Sequence, residues 1–131
     1  MGTRNKQAEA GRTARFAGML AAMGTPPRLR IVRLLLSAHP GGMFAGEIQT
    51  ETGMPGATLS HHLEKLKNHG LVNVAREGTF RRYFADTEAL GGLLGFLYAE
   101  CCTRSRAVNP ETLVPLPGPQ RKESSWTSKK R

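Results

Sequence analysis

The chain has 131 residues, 39% of them hydrophobic, and its 19 Lys and Arg against 10 Asp and Glu give a formal net charge of +9. This length suits one domain with a modest core, and the positive balance suits an anionic partner such as nucleic acid or an acidic membrane surface. No apolar run approaches the roughly 20 residues that a transmembrane helix needs, and the basic start lacks a signal peptide's apolar stretch. The sequence therefore predicts a cytoplasmic protein with no membrane partner.

Two apolar stripes with helical spacing open the chain after a polar first dozen residues, which we expect to fray. The first stripe comprises Phe16, Met19, Leu20 and Met23. The second comprises Leu29, Val32, Leu35 and Leu36, all expected to face inward. Gly24 and Pro26 end the first helix, and Thr25 is placed to cap the second.

A helix-turn-helix is predicted next. The third helix runs from about Phe44 to Thr52 and ends at Gly53, and the fourth begins at Pro55 and ends at Gly70. The buried face of the fourth helix comprises Leu59, Leu63 and Leu66. Two short helices joined by a turn of a few residues that contains Gly are typical of this motif.

A small basic hairpin and a last helix complete the pattern. After Gly70 the apolar spacing changes from 3.6 to 2, with a turn at Glu77-Gly78-Thr79, and from Thr87 the helical period returns. The fold class is therefore mainly α with a small β-hairpin, a winged helix-turn-helix. We expect a flexible N-terminus over 1–12, a folded domain over 13–103 and a basic, Pro-containing, disordered tail over 104–131.

The first and last helices carry apolar stripes. In a chain of this size, few other residues remain to cover them. Apolar faces without an internal partner commonly pair between subunits, which predicts a homodimer through these two helices. The alternative is that the two helices pack on each other in a monomer.

The outer face of the fourth helix is the predicted DNA-reading surface. Thr58, Ser60 and His61 are expected to contact bases or backbone, and Lys65 a phosphate. His62 lies on the leucine side and is expected to be partly buried and hydrogen-bonded. The alternative is an ordinary solvated polar face.

In the hairpin, Arg82 and also Arg76 are expected to face DNA while Tyr83 or Phe84 packs inward. The partner that these expectations imply is double-stranded DNA.

The runs TPPRLRIVRLLL, ATLSHHLEKLKNHGLV and REGTFRRYFAD resemble the ArsR/SmtB family of metal-responsive winged-helix repressors, over roughly residues 15–102. The resemblance implies a homodimer that binds an imperfect palindrome in its own promoter and leaves it when an inducer binds.

Inducer sites differ within that family. The Cys-x-Cys arsenic site of the third helix is absent at Phe44 to Ile48, and Asp86 to Cys102 contains none of the histidines of the zinc-type site. What remains is the pair Cys101 and Cys102, which resembles an arsenic-responsive subset of the family. The resemblance implies a trivalent arsenical or antimonite as inducer at these metal ligands, with no obligatory cofactor.

The number of thiols bears on which arsenical binds. Trivalent arsenic takes up to three soft thiolates, so arsenite would need a third ligand from the partner subunit, a small thiol or water. Two thiols suffice for a monomethylated trivalent arsenical, which has two exchangeable positions.

Other interpretations of the cysteine pair remain. Free cysteines are often simply buried, a redox switch would need a disulfide between subunits, and mercury or another soft metal would also suit thiolates. An enzyme is not expected, because the sequence assembles no nucleophile beside a base, carboxylate pair or open metal site. A membrane or scaffold role would depend on the basic tail alone.

Overall fold

The computed structural model describes residues 2–101 and 103–104, with side chains from residue 5 onward. Five helices and three strands follow one another in this range. They are α1 (Gly2–Met23), α2 (Pro26–Ser37), β1 (Met43–Phe44), α3 (Ala45–Thr52), α4 (Gly56–Asn68), β2 (Val72–Glu77), β3 (Phe80–Ala85) and α5 (Thr87–Tyr98). The prediction of a mainly helical winged helix-turn-helix is confirmed.

Helix α1 is longer than its apolar stripe. It begins at Gly2, well before Phe16. The polar segment that we expected to fray before the first helix therefore has a helical backbone. Alanine, lysine and glutamine in residues 6–10 are strong helix formers, but residues 5–15 are all exposed. The flexibility of residues 1–12 stays a prediction.

Helix α2 is capped as predicted, and it buries Val32 and Leu35 of the predicted face. Thr25 Oγ1 accepts the backbone N–H of Arg28 at 3.4 Å. The buried residues are Ile31, Val32 and Leu35. The inward orientation expected of Leu29 and Leu36 is wrong, because these side chains are 47% and 40% exposed. Apolar residues surround most of this helix, so their period does not fix the buried face.

Helix α4 ends in a Schellman motif at the predicted glycine. Gly70 has φ +76°, its N–H donates to the Lys67 carbonyl at 3.0 Å, and the N–H of Leu71 donates to the Leu66 carbonyl at 3.0 Å. Leu66 and Leu71 are both fully buried. The motif thus turns the chain directly from α4 into β2.

The hairpin is part of a three-stranded antiparallel sheet in the order β1-β3-β2. The two-residue strand β1, which the sequence prediction missed, pairs Met43 with Tyr83 and Phe44 with Arg82. Between β2 and β3 the turn consists of Gly78 and Thr79, and Gly78 has φ +65°, as primed two-residue turns require.

The chain divides into two compact units, Met1–Leu93 and Leu94–Arg131. The first unit holds the core, whose fully buried side chains include Met19, Ile31, Leu35, Ile48 and Leu63. The boundary between the units lies within α5, whose start is capped by Asp86 Oδ1, which accepts the N–H of Ala89 at 3.0 Å. Among the described residues, no helix has the length and apolar character that crossing a bilayer requires.

Candidate nucleic-acid interface

The turn of the helix-turn-helix is fixed by Gly53 and by a clamp from α2. Gly53 adopts φ +72° and its N–H donates to the Gln49 carbonyl at 2.8 Å. Arg30 donates from Nη1 to the Thr52 carbonyl at 3.2 Å and from Nη2 to the Glu51 carbonyl at 3.4 Å. A cation at the negative end of a helix dipole is stabilising. Arg30 therefore holds the end of α3. The sequence did not indicate this role, because Arg30 stands among the apolar residues of α2.

The outer face of α4 carries the four residues predicted to contact DNA. Thr58, Ser60, His61 and Lys65 are all exposed, whereas the leucine face is buried. Successive residues of a helix are about 100° apart around its axis. Thr58 and Lys65 therefore lie in one column, and His61 is about 60° from it. Ser60 is about 100° beyond His61, nearer the hairpin side. The three residues Thr58, His61 and Lys65 thus form one continuous polar edge, and their contacts with DNA stay a prediction.

His62 lies on the other flank of α4, against Arg28. Its ring is partly buried, and Nδ1 is 3.4 Å from Arg28 Nη1. Burial, followed by the charges of Arg28 and His61, lowers the pKa of His62 below its usual value. The prediction of a partly buried, hydrogen-bonded histidine is confirmed.

The register of the hairpin decides which arginines share a face. Arg76 is paired with Arg81, and Ala75 with Arg82. Because side chains alternate along a strand, Arg76 and Arg82 lie on opposite faces of the sheet, so the expectation that both face the same surface is wrong. Tyr83 packs inward and is buried.

A basic groove of about 330 Å³ lies between α4 and the hairpin, on the face that carries Arg76. Its lining comprises Leu63, Glu64, Lys67, Val74, Arg76, Arg81 and Tyr83. Lys67 Nζ is 3.7 Å from Glu64 Oε2, so Arg76 and Arg81 supply the remaining positive charge of the lining. Lys67 and Arg81 were not among the predicted DNA contacts. Pairing residues across the two-residue turn would have identified Arg81.

Arg82 lies on the opposite face and is engaged within the protein. Its guanidinium is 4.0 Å from the centre of the Phe44 ring, and its donors reach Glu77 and the Gly41 carbonyl. Its predicted contact with DNA is untested.

The cysteine pair lies beyond the end of α5. The helix ends at Tyr98, and the Cys101 N–H donates to the Tyr98 carbonyl at 3.0 Å within a turn. Cys101 therefore follows the last helix and is not part of it. Its side chain is half-buried, and Cys102 lies outside the described residues. Within the part of the chain that the structure describes, no three His, Cys, Asp or Glu side chains are grouped to hold a metal.

Comparisons with known proteins cover the same elements. A family model described as a helix-turn-helix domain matches residues 23–75. An uncharacterized HTH-type transcriptional regulator of Methanocaldococcus jannaschii is 41% identical over 68 residues, which are 52% of this chain and 74% of that protein. The HTH-type transcriptional regulator YgaV of Escherichia coli is 33% identical over 86 residues, which are 66% and 85% of the two chains.

A solved structure shows the same arrangement. It is the homodimeric winged helix-turn-helix DNA-binding domain of a possible ArsR-family transcriptional regulator from Mycobacterium bovis. It is 32% identical to this chain, with a TM-score of 0.56, and the match covers 71% of this chain and 86% of that one. The range that the family model matches therefore includes α3 and α4 of the candidate interface.

Proposed function

Because the chain belongs to the winged-helix transcriptional regulators of the ArsR/SmtB type, we propose that it is a repressor that binds an imperfectly palindromic operator as a homodimer. In this proposal α4 of each subunit enters the major groove and the hairpin reaches the flanking backbone. The observation that carries it is the exposed edge formed by Thr58, His61 and Lys65 on a helix whose opposite face is fully buried.

The charges around α4 support the assignment of roles within this interface. Thr58 is near the start of α4, where short side chains approach base edges most closely. Lys65 lies two turns further along, where a long cation reaches phosphate. Arg76 and Arg81 sit side by side on the groove face of the hairpin, and we assign them to the phosphates beside the major groove.

The dimer is supported by apolar side chains that remain exposed in each unit. Leu20 of α1 is 44% exposed in the first unit. In the second unit Leu94, Leu97 and Tyr98 of α5 are similarly exposed. We propose that a second copy of the chain covers them, which would place two copies of α4 at the spacing of about 34–36 Å that matches one turn of DNA.

Fluorescence anisotropy tests DNA binding on a duplex taken from the DNA upstream of the gene that encodes this protein. A scrambled duplex of equal length is the control. Specific sites are typically bound at least about a thousandfold more tightly than non-specific DNA. We expect such a preference and a stoichiometry of two chains per site. Equal affinity for both duplexes would contradict the proposal.

We propose further that Cys101 and Cys102 bind the inducer, a trivalent arsenical or antimonite. With methylarsenite, the two thiols would displace two hydroxyl groups as water and form two arsenic–sulfur bonds, with no change in oxidation state. Soft thiolates select such ions. Because α5 ends at Tyr98 and Cys101 lies in the turn that follows, binding by the Cys101 thiol would not require α5 to unwind.

The inducer proposal is tested by adding methylarsenite, arsenite, antimonite, zinc or hydrogen peroxide to the protein–DNA complex. We expect release by the trivalent arsenicals and antimonite but not by zinc. The variants Cys101→Ser and Cys102→Ser should each bind DNA normally and lose the response. Release retained in both variants would contradict the proposal, and release by peroxide that a reductant reverses would favour a redox switch.

A further inference from the structure

Arg82 lies on the outer face of the sheet, at the junction of three separate segments of the chain. Its Nε donates to Glu77 Oε2 at 3.0 Å and its Nη2 to Glu77 Oε1 at 3.4 Å, so the pair is bidentate. Its Nη1 donates to the Gly41 carbonyl at 3.1 Å. The guanidinium also stacks 4.0 Å from the centre of the Phe44 ring. All three guanidinium nitrogens are thus directed to partners within the protein.

These partners join the hairpin to the helix-turn-helix. Glu77 is the last residue of β2 before the turn, and Gly41 belongs to the loop after α2. Phe44 is the residue from which α3 begins, and its N–H donates to Glu47 in the first turn of that helix at 2.8 Å. A side chain that binds all three segments fixes the tip of the hairpin relative to the start of α3.

Planar bidentate pairing and stacking are properties that lysine does not share with arginine. A phosphate contact needs chiefly a positive charge, whereas this arrangement needs the fork and the flat face of the guanidinium. Arg76 and Arg81, on the opposite face, lie in the groove beside α4 instead.

We propose that Arg82 is a positioning residue for DNA binding, which holds the hairpin at the angle that brings Arg76 and Arg81 to the phosphates, and that it does not itself contact DNA. The proposal rests on the DNA-binding function proposed above. It assigns Glu77, an acidic residue, a supporting role in binding a polyanion.

This assignment can be tested, because charge repulsion and positioning predict opposite changes in DNA affinity when the charge of Glu77 is removed. Removing a negative charge near DNA ordinarily strengthens binding, because its repulsion of the phosphates is removed. If Glu77 holds Arg82 in place, Glu77→Gln should instead weaken binding about two- to fivefold. The matched control is Glu64→Gln, which removes one negative charge from the groove lining and should raise affinity.

Further variants separate the contribution of the charge of Arg82 from that of the shape of its guanidinium group. Arg82→Lys should lose most of the affinity that Arg82→Ala loses. In contrast, Arg81→Lys, which keeps the charge of a proposed phosphate contact, should retain clearly more affinity than Arg81→Ala. Phe44→Leu, which changes no charge, should also weaken binding. In the swap of Glu77→Arg with Arg82→Glu, affinity should exceed that of Arg82→Glu alone at least fivefold, because an ion pair is restored.

Each variant is measured by anisotropy on specific duplex, with its thermal midpoint required to stay near that of the original protein. Hydrogen exchange of amides 76–81 in the free protein should accelerate in Glu77→Gln and Arg82→Lys. Tighter binding by Glu77→Gln, or full activity of Arg82→Lys with no rescue in the swap, would overturn the positioning role. If the original protein shows no specific binding, the proposed function fails, while the exchange data still test the contact network.

Discussion

The guanidinium of Arg28 ties α1, α2 and α4 together through two neighbours, Ala22 and His62. Its Nε donates to the Ala22 carbonyl at 2.6 Å, and its Nη1 lies 3.4 Å from His62 Nδ1. Arginine can only donate hydrogen bonds, so Nδ1 must accept and the imidazole must be neutral in this contact. Protonation would place two cations against each other beside the middle of α4.

This contact predicts that the protein loses stability as the pH falls below about 6.5. The pKa of His62 is lowered by burial and by the charges of Arg28 and His61, while in the unfolded chain it stays near 6.5. The unfolded state therefore binds a proton first, and protons favour unfolding. This contribution is fully present above about pH 6.5 and is lost as the pH falls toward the folded pKa.

Urea unfolding between pH 5 and 8 measures the effect. In His62→Gln, the free energy of unfolding should vary less with pH across this window than in the original protein. His39→Gln, in the exposed loop after α2, is measured in parallel as a histidine substitution that leaves the contact between Arg28 and His62 intact. Equal slopes for the original protein and His62→Gln would contradict the prediction.

Arg30 is predicted to stabilise the helix-turn-helix from outside it. Replacing Arg30 with Ala removes two charge-assisted hydrogen bonds to the carbonyls of Glu51 and Thr52 and a favourable interaction with the α3 dipole. Because the side chain is largely exposed, we expect a loss of about 1 kcal/mol in the free energy of unfolding. Arg33→Ala, on an exposed face of the same helix, should change it by less than about 0.5 kcal/mol. If both substitutions lowered the free energy of unfolding equally, the proposed stabilisation of α3 by Arg30 would be contradicted.

The sequence predicted α4 and its glycine end because a single stripe of leucines is followed by Gly70, and both signals are local. It did not predict β1, since a two-residue strand has no period of its own and forms only by pairing with Tyr83 and Arg82. The roles of Arg30 and Arg82 were missed for a related reason. Their partners are 21 to 41 residues distant in the chain, or lie across a hairpin, and no short-range pattern indicates such contacts.

Two glycines near β1 are predicted to respond to alanine with opposite signs. At Gly42, φ is +73° and an added Cβ would lie 2.6 Å from the Tyr83 carbonyl oxygen, so Gly42→Ala should destabilise the protein by more than about 1 kcal/mol. At Gly46, inside α3, an added Cβ meets nothing within 4 Å. Gly46→Ala should therefore stabilise by about 0.4–1 kcal/mol. Thermal unfolding of the two variants decides the matter, and a shift in the same direction would contradict this account of the β1 region.

The polar edge of α4 is predicted to divide into residues that read sequence and a residue that binds backbone. Lys65→Ala should weaken binding to specific and scrambled duplexes alike, and it should lower the slope of log affinity against log salt by about 0.9 if Lys65 neutralises one phosphate. Thr58→Ala and His61→Ala should leave that slope unchanged and cost about 1–3 kcal/mol on the specific duplex only. The exposed Asn68, three turns from the start of α4, provides the control, and Asn68→Ala should alter neither quantity. If Thr58→Ala and His61→Ala weakened both duplexes equally, α4 would bind DNA without reading its bases, and specificity would have to come from the hairpin or from the shape of the duplex.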